Sequence, residues 1–170
     1  MQGTYTNHNS NTFYTYIGDD YPVWLDTTPP LVEMTFAESA RYTQSQADKL
    51  DWAELQSYRT YVGSMRFGQD SRVLAMAMFH ELHCLNSLQR AFHPTSSHNE
   101  GPYHVQHCLS YLRQLFLCSA DATLEPGDVM ERDFTTDTTL VTRTCRDWSS
   151  LYAASETDYA AWTHANASIT

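Results

Sequence analysis

A mainly α-helical single domain with a few short strands is the fold class this chain predicts, and three observations predict it. Segments 71–92 and 102–118 carry apolar residues at helical spacing, only two short stretches have the alternation or β-branched content of strands, and Pro22, Pro29 and Pro30 interrupt the first 36 residues. The chain has 170 residues, 42% hydrophobic and 13% aromatic, which suits one domain over 1–170 with a hydrophobic core of its own rather than a disordered segment.

In chain order, residues 1–36 read as a long, extended, irregular N-terminal segment rich in Thr, Asn and Tyr. It ends in Val32-Glu33-Met34-Thr35-Phe36, whose alternation fits a short strand. Residues 37–60 read as helical, with Ser39 or Ser45 as a cap and Leu50, Trp52 and Leu55 as an apolar face. Gly63 and Gly68 make 61–70 a loop or hairpin. The clearest helix is 71–92, with Ser71 as N-cap and Leu74, Met78, Leu82, Leu85 and Leu88 along one stripe; His93-Pro94 ends it. Pro102, at a first-turn position, opens a second helix over 102–118. Residues 121–137 form a polar loop, the Thr/Val-rich 138–145 a strand, and Trp148–Trp162 a closing helix beyond which the chain frays.

The charge balance narrows the function classes. A net charge of −10 with no Lys/Arg cluster disfavours nucleic acid and anionic lipid as partners. No stretch approaches the ~20 apolar residues of a membrane span, and the first residues lack a signal-peptide pattern. That leaves a cytosolic protein or one whose targeting segment lies outside this sequence. Four cysteines, Cys84, Cys108, Cys118 and Cys145, permit disulfides in an oxidising compartment, and ligands or free thiols in a reducing one. Asn166-Ala167-Ser168 is a glycosylation sequon, a weak pointer to the secretory route.

One short internal repeat carries chemistry. The stretch from His80 to Phe92 aligns without gaps on the stretch from His104 to Phe116, matching His, His, Cys, Leu, Leu and Phe. The Leu and Phe matches are what two packed helices would share. The His-His-Cys matches are not explained by packing. At roughly 100° per residue, positions i, i+3 and i+4 fall on one helix face. His80, His83 and Cys84 therefore project together, as do His104, His107 and Cys108. The connecting loop of about ten residues favours antiparallel neighbours, so a helical hairpin over 71–118 gathers four imidazoles and two sulfurs. A lone His is more often a core or surface residue; the same triplet occurring twice points to metal. The pattern is neither His-Glu-x-x-His nor Cys-x-x-Cys-His, which excludes the zinc-protease and covalent-haem readings. With thiolate cysteines the site suits structural zinc or Cu(I); with a Cys84–Cys108 disulfide it becomes nitrogen-only and suits Cu(II), catalytic zinc or iron.

These motifs resemble the UstYa-like family of fungal biosynthetic oxidases. The resemblance rests on both His-x-x-His-Cys copies together with Tyr16-Ile17-Gly18-Asp19-Asp20-Tyr21-Pro22, Ser39-Ala40-Arg41-Tyr42, the segment from Cys118 to Leu124, and Cys145-Arg146-Asp147-Trp148, in that family's order. It implies one or two copper ions held by His80, His83, His104 and His107. It implies that Cys84 and Cys108 are disulfide partners or ligands and that Cys118 and Cys145 form a second pair. It implies a peptide or small-metabolite substrate, dioxygen or peroxide as co-reactant, and oxidative cyclisation, hydroxylation, desaturation or halogenation at unactivated carbons. A secretory-lumen location behind an N-terminal anchor, and homo- or hetero-oligomers with another family member, follow from the same resemblance. Arg143 departs from the family, which often has His at that place. Glu81, the loop histidines His93 and His98, and Tyr103 flank the motifs and are candidates for supporting roles. The rival readings are a zinc-stabilised binding module without catalysis and a partner subunit for another family member.

Overall fold

A computed structural model describes residues 13–55, 63–93, 101–125, 131, 133, 136 and 139–167. The elements in order are β1 (Leu31–Ala37), a 3-10 turn (Gln46–Asp48), α1 (Lys49–Glu54), β2 (Ser64–Phe67), β3 (Arg72–Ala75), α2 (Ala77–Ala91), α3 (Pro102–Ser119), β4 (Thr139–Arg146) and α4 (Ser149–Ala167). The mainly helical class with short strands holds. No described helix is long and apolar enough to cross a membrane.

The strands form two antiparallel pairs. β1 pairs with β4, Val32 opposite Cys145 and Met34 opposite Arg143, with a bulge near Thr35–Ala37. This pairing closes the chain on itself and leads into α4 through Asp147, whose backbone N–H donates to the Pro30 carbonyl at 2.8 Å. β2 and β3 form a hairpin, Met65 opposite Leu74.

That hairpin corrects the expected start of the first motif helix. Residues 72–75 are strand, the helix begins at Ala77 with Met76 as N-cap, and Ser71 sits at φ 52° in the turn rather than capping a helix. Leu74 and Met78 fit a helical stripe, but pairing with Ser64–Phe67 decides the outcome. The helix expected over 37–60 also contracts, to the 3-10 turn and α1; residues 56–60 lie outside the described residues. Before it, local side chains take the backbone donors. Thr43 N–H donates to Asp48 Oδ2 at 2.8 Å, Ser45 N–H to Thr43 Oγ1 at 3.0 Å and Ala47 N–H to Ser45 Oγ at 3.1 Å. Such bonds compete with helix formation. α4 extends to Ala167, five residues past the expected end at Trp162.

α4 and the β2–β3 hairpin form a platform that fixes the start of α2. Gly63, at φ 89°, lies against the Phe79 ring so closely that a Cβ there would collide with Phe79 Cγ. Its N–H donates to the buried Ser155 Oγ at 2.8 Å, and its carbonyl accepts from Met76 N–H at 2.8 Å. Phe79 meets Tyr152 edge-on at 4.7 Å. Arg66 pairs with Asp158 at 2.8 Å and lies 4.6 Å from the Trp162 ring centroid.

The hydrophobic core expected of a single domain is small among the described residues. Among them the buried apolar side chains are Phe79, Cys84 and Cys108, and the most deeply buried are Cys84, Cys108, Ser87 and Ser155. The centre of the fold is therefore the motif hairpin itself.

Candidate metal centre

α2 and α3 bring the two motif copies face to face. Pro102 follows the N-cap Gly101 and opens α3 as its sequence position requires; Ala120, left-handed at φ 42°, closes it with its N–H on the Phe116 carbonyl. His83 Nε2 lies 3.3 Å from His104 Nε2, and His80 Nε2 lies 3.4 Å from His107 Nε2. The four rings outline a quadrilateral with centroid separations of 5.5 Å (His80–His107), 6.3 Å (His107–His104), 5.2 Å (His104–His83) and 6.4 Å (His83–His80).

The repeat gives this arrangement an internal symmetry. His80 corresponds to His104 and His83 to His107, so exchanging the copies turns the pair His80–His107 into the pair His104–His83. Both pairs are thus one motif's first histidine against the other motif's second. Cys84 and Cys108 correspond to each other and meet between the helices, fully buried, with their thiols in hydrogen-bond contact.

The donor set fits a metal ion. Two nitrogens bound to one metal at about 2.0–2.1 Å in tetrahedral fashion lie roughly 3.3–3.4 Å apart. The two observed Nε2 separations match, while for a hydrogen bond they are long. His80, Cys84 and His107 also offer ligand atoms that all lie within 4.8 Å of one another. Burial, then the charges of His107 and His104, hold the His80 imidazole below its usual range. Such a ring is neutral at neutral pH, as ligation requires. Burial, then the hydrogen bond to and charge of Cys108, push the Cys84 thiol up to about 12. All four cysteines are free thiols in this structure.

The flanking residues sort clearly. Glu81 is half-buried, and burial raises its carboxyl above the usual range. Tyr103, a candidate for a supporting role, is 86% exposed. The aromatic residue at the site is Tyr111, stacked on His80 at 4.2 Å and facing His107 at 6.0 Å. Tyr111 follows His107 by one helical turn and so shares its face, a signal present in the sequence but not drawn from it. His93 is half-buried just past the end of α2, with a buried Nε2 that has no hydrogen-bond partner among the described residues; His98 lies outside the described residues. Arg143 takes a structural part. It pairs with Asp121 at 2.7 Å and with Glu125, and lies over the Phe36 ring at 4.9 Å, tying the end of α3 to β4. Cys118 is exposed on α3 and Cys145 half-buried on β4, at the two sides of this clamp.

The fold and its site define a small, mainly helical domain built around two facing pairs of histidines that could hold a metal ion. The chain belongs to the UstYa family: the profile described as "Mycotoxin biosynthesis protein UstYa" matches residues 33–166. Among similar proteins, the UstYa family oxidase phomYd of Diaporthe leptostromiformis is 33% identical over 85 residues, 46% of this chain and 28% of that protein. The UstYa family oxidase aprY of Aspergillus flavus is 27% identical over 154 residues, 66% of this chain and 45% of that protein. Oxidase ustYa of Aspergillus flavus is 30% identical over 79 residues, 45% of this chain and 37% of that protein. The chain thus spans less than half the length of these relatives. No solved structure matches it.

Proposed function

We propose that this chain is a copper-dependent oxidase domain of fungal secondary metabolism, acting on unactivated C–H bonds of a peptide or small metabolite. The observation that carries the reading is the pair of facing Nε2 contacts, His83–His104 and His80–His107. Relatives named as oxidases support it. The four histidines would hold one or two ions. Copper, when bound, supplies one-electron chemistry with dioxygen or peroxide, with oxidative cyclisation, hydroxylation, desaturation or halogenation as the product-forming outcomes.

The chain's own residues do the rest. The platform fixes α2 through Phe79, so the His80 ring is held in register with His107. Tyr111 stacks on the His80 ring and faces His107, which would hold the His80 imidazole in place. The buried Cys84–Cys108 contact sets the spacing of the two helices. We assign the domain to the secretory lumen, which favours a Cys118–Cys145 disulfide across the Arg143 clamp; intact mass with and without reduction, and glycosidase sensitivity at Asn166, check both. Assembly with a second family member is part of the same proposal.

A specific observation favours a second reading. Cys84 joins His80 and His107 in one ligand-sized group, a mixed donor set that suits structural zinc in a non-catalytic module or partner subunit. Metal analysis with electron paramagnetic resonance, on wild type and on His83→Ala/His107→Ala, separates the two. Stoichiometric copper with a nitrogen-rich Cu(II) signal that the variant loses supports the oxidase. Tightly held zinc, no copper signal and unfolding on chelation overturn it.

A further inference from the structure

The repeat matches three apolar pairs as well as the ligands, and packing between the helices was expected to account for them. It fits Leu88 and Leu112, which are half-buried. Leu85, Phe92, Leu109 and Phe116 are instead 42%, 65%, 56% and 72% exposed, respectively. At about 100° per residue they lie roughly a quarter-turn or more round each helix from the histidine face.

On that side of the hairpin lies a groove of about 460 Å³, within the range of small-molecule sites. Leu85 and Leu88 of α2, Phe92 at its C-cap, and Val105 and Leu109 of α3 form its helical wall. Tyr42 and Trp52 form the wall opposite, set edge-to-face at 5.5 Å, with the Trp52 indole N–H donating to the Thr43 carbonyl at 2.9 Å. No charged residue lines the groove among the described residues, and nearby Arg41 is engaged with Asp51. Gln89 also lines the groove and is only 8% exposed; its amide shows no hydrogen bond among the described residues and keeps some contact with solvent. A ligand group that bonds this amide takes the place of water there. Leu85 and Val105 directly follow Cys84 and His104 in the chain, so the groove and the histidine cluster lie on adjoining faces of the same two helices.

We propose that this groove is the substrate subsite for an uncharged apolar or aromatic group bearing one hydrogen-bonding function, which the Gln89 amide recognises. The inference rests on the oxidase reading for the word substrate, but not for the existence of the site. A chain of net charge −10 with an uncharged lining disfavours phosphorylated and carboxylate ligands at this position. The same exposed Leu and Phe stripe could instead seat a second copy of the chain, and the test distinguishes that occupant.

The test titrates metal-free protein, followed by NMR, with neutral N-acetylphenylalaninamide, its carboxylate analogue N-acetylphenylalanine, and ethylbenzene. The neutral amide is expected to bind about tenfold tighter than the carboxylate, because an ionised group must be desolvated. Val105→Trp fills the groove and reduces binding of both neutral probes about tenfold; Leu109→Gln, with little change in volume, serves if that variant does not fold. Gln89→Leu weakens the amide about fivefold and leaves ethylbenzene within about twofold. Equal binding of amide and carboxylate, indifference to Val105→Trp, or equal loss of both neutral probes in Gln89→Leu overturns the proposal. So does a wild-type dimer that Val105→Trp dissociates while no probe binds, which makes the second copy the occupant. Copper stoichiometry is read separately: probe binding without copper sinks the oxidase reading alone, and copper without probe binding sinks this subsite alone.

Discussion

The motif hairpin and the platform beneath it are held together by different chemistry. The platform uses an ion pair, a hydroxyl hydrogen bond and a ring contact: Arg66 with Asp158, the Ser155 hydroxyl on Gly63, and Phe79 against Tyr152. The hairpin meets across imidazoles and thiols, which titrate, oxidise and bind metals. A substitution in the platform should therefore act on folding, and one in the hairpin on metal and pH response. The lesson is that two adjoining parts of one small domain divide stability from chemistry.

The sharpest way to break this division is to remove ligands. His83→Ala/His107→Ala takes one nitrogen from each facing pair. Copper affinity, read by competition with a chelator, should fall by more than the ~10–100-fold that follows loss of a supporting residue, while the metal-free denaturation midpoint stays close to wild type. The reverse experiment comes next. Asp158→Ala strands Arg66, which is 8% exposed, and should lower the unfolding free energy by about 3 kcal/mol in urea titration. Phe79→Ala should cost about the same by opening a cavity against Gly63 and Tyr152. Copper bound per folded molecule should be preserved in both.

A smaller effect is expected from pH. The His80 imidazole is held below its ordinary value of 6.5, so on acidification the unfolded chain takes up that proton first. Its contribution is fully present above about 6.5 and is lost as pH falls toward the folded value. The Cys84 thiol is raised from 9.0 to about 12. There the unfolded chain loses its proton first, and stability falls as pH rises past 9. Metal-free wild type should show both limbs in denaturation midpoints, and a His80→Gln variant should flatten the acid limb. The smallest change is expected for Tyr111→Leu, which removes the ring stacked on His80 but no ligand. Copper affinity should drop about tenfold with the nitrogen-rich spectrum retained.

How far the sequence disclosed all this depends on the range of the interaction. The histidine–cysteine cluster was legible because helix geometry alone puts i, i+3 and i+4 on one face, and a short loop makes the two faces meet. Pro102 and the β1 alternation were legible for equally local reasons. The start of α2 was not: Leu74 and Met78 satisfy a helical period, and only pairing with Ser64–Phe67 makes 72–75 a strand. Nor was the fate of the repeated Leu and Phe positions, since periodicity says which residues share a face but not what covers it. Tyr111 was within reach, one turn beyond His107, but its stacking on His80 depends on the opposite helix. Arg143, read as a departure from the family at a candidate site position, is a clamp on Asp121 and Glu125. Its role is set by a loop far away in sequence.

The central claim is that imidazoles from both motif copies, and not the buried thiols, hold a copper ion. X-ray absorption at the copper edge of the loaded protein tests it most directly. The account predicts a first shell of nitrogen or oxygen near 2.0 Å with the outer-shell pattern of several imidazoles. A sulfur shell at about 2.3 Å, or failure of the protein to retain copper while it holds zinc, would contradict it.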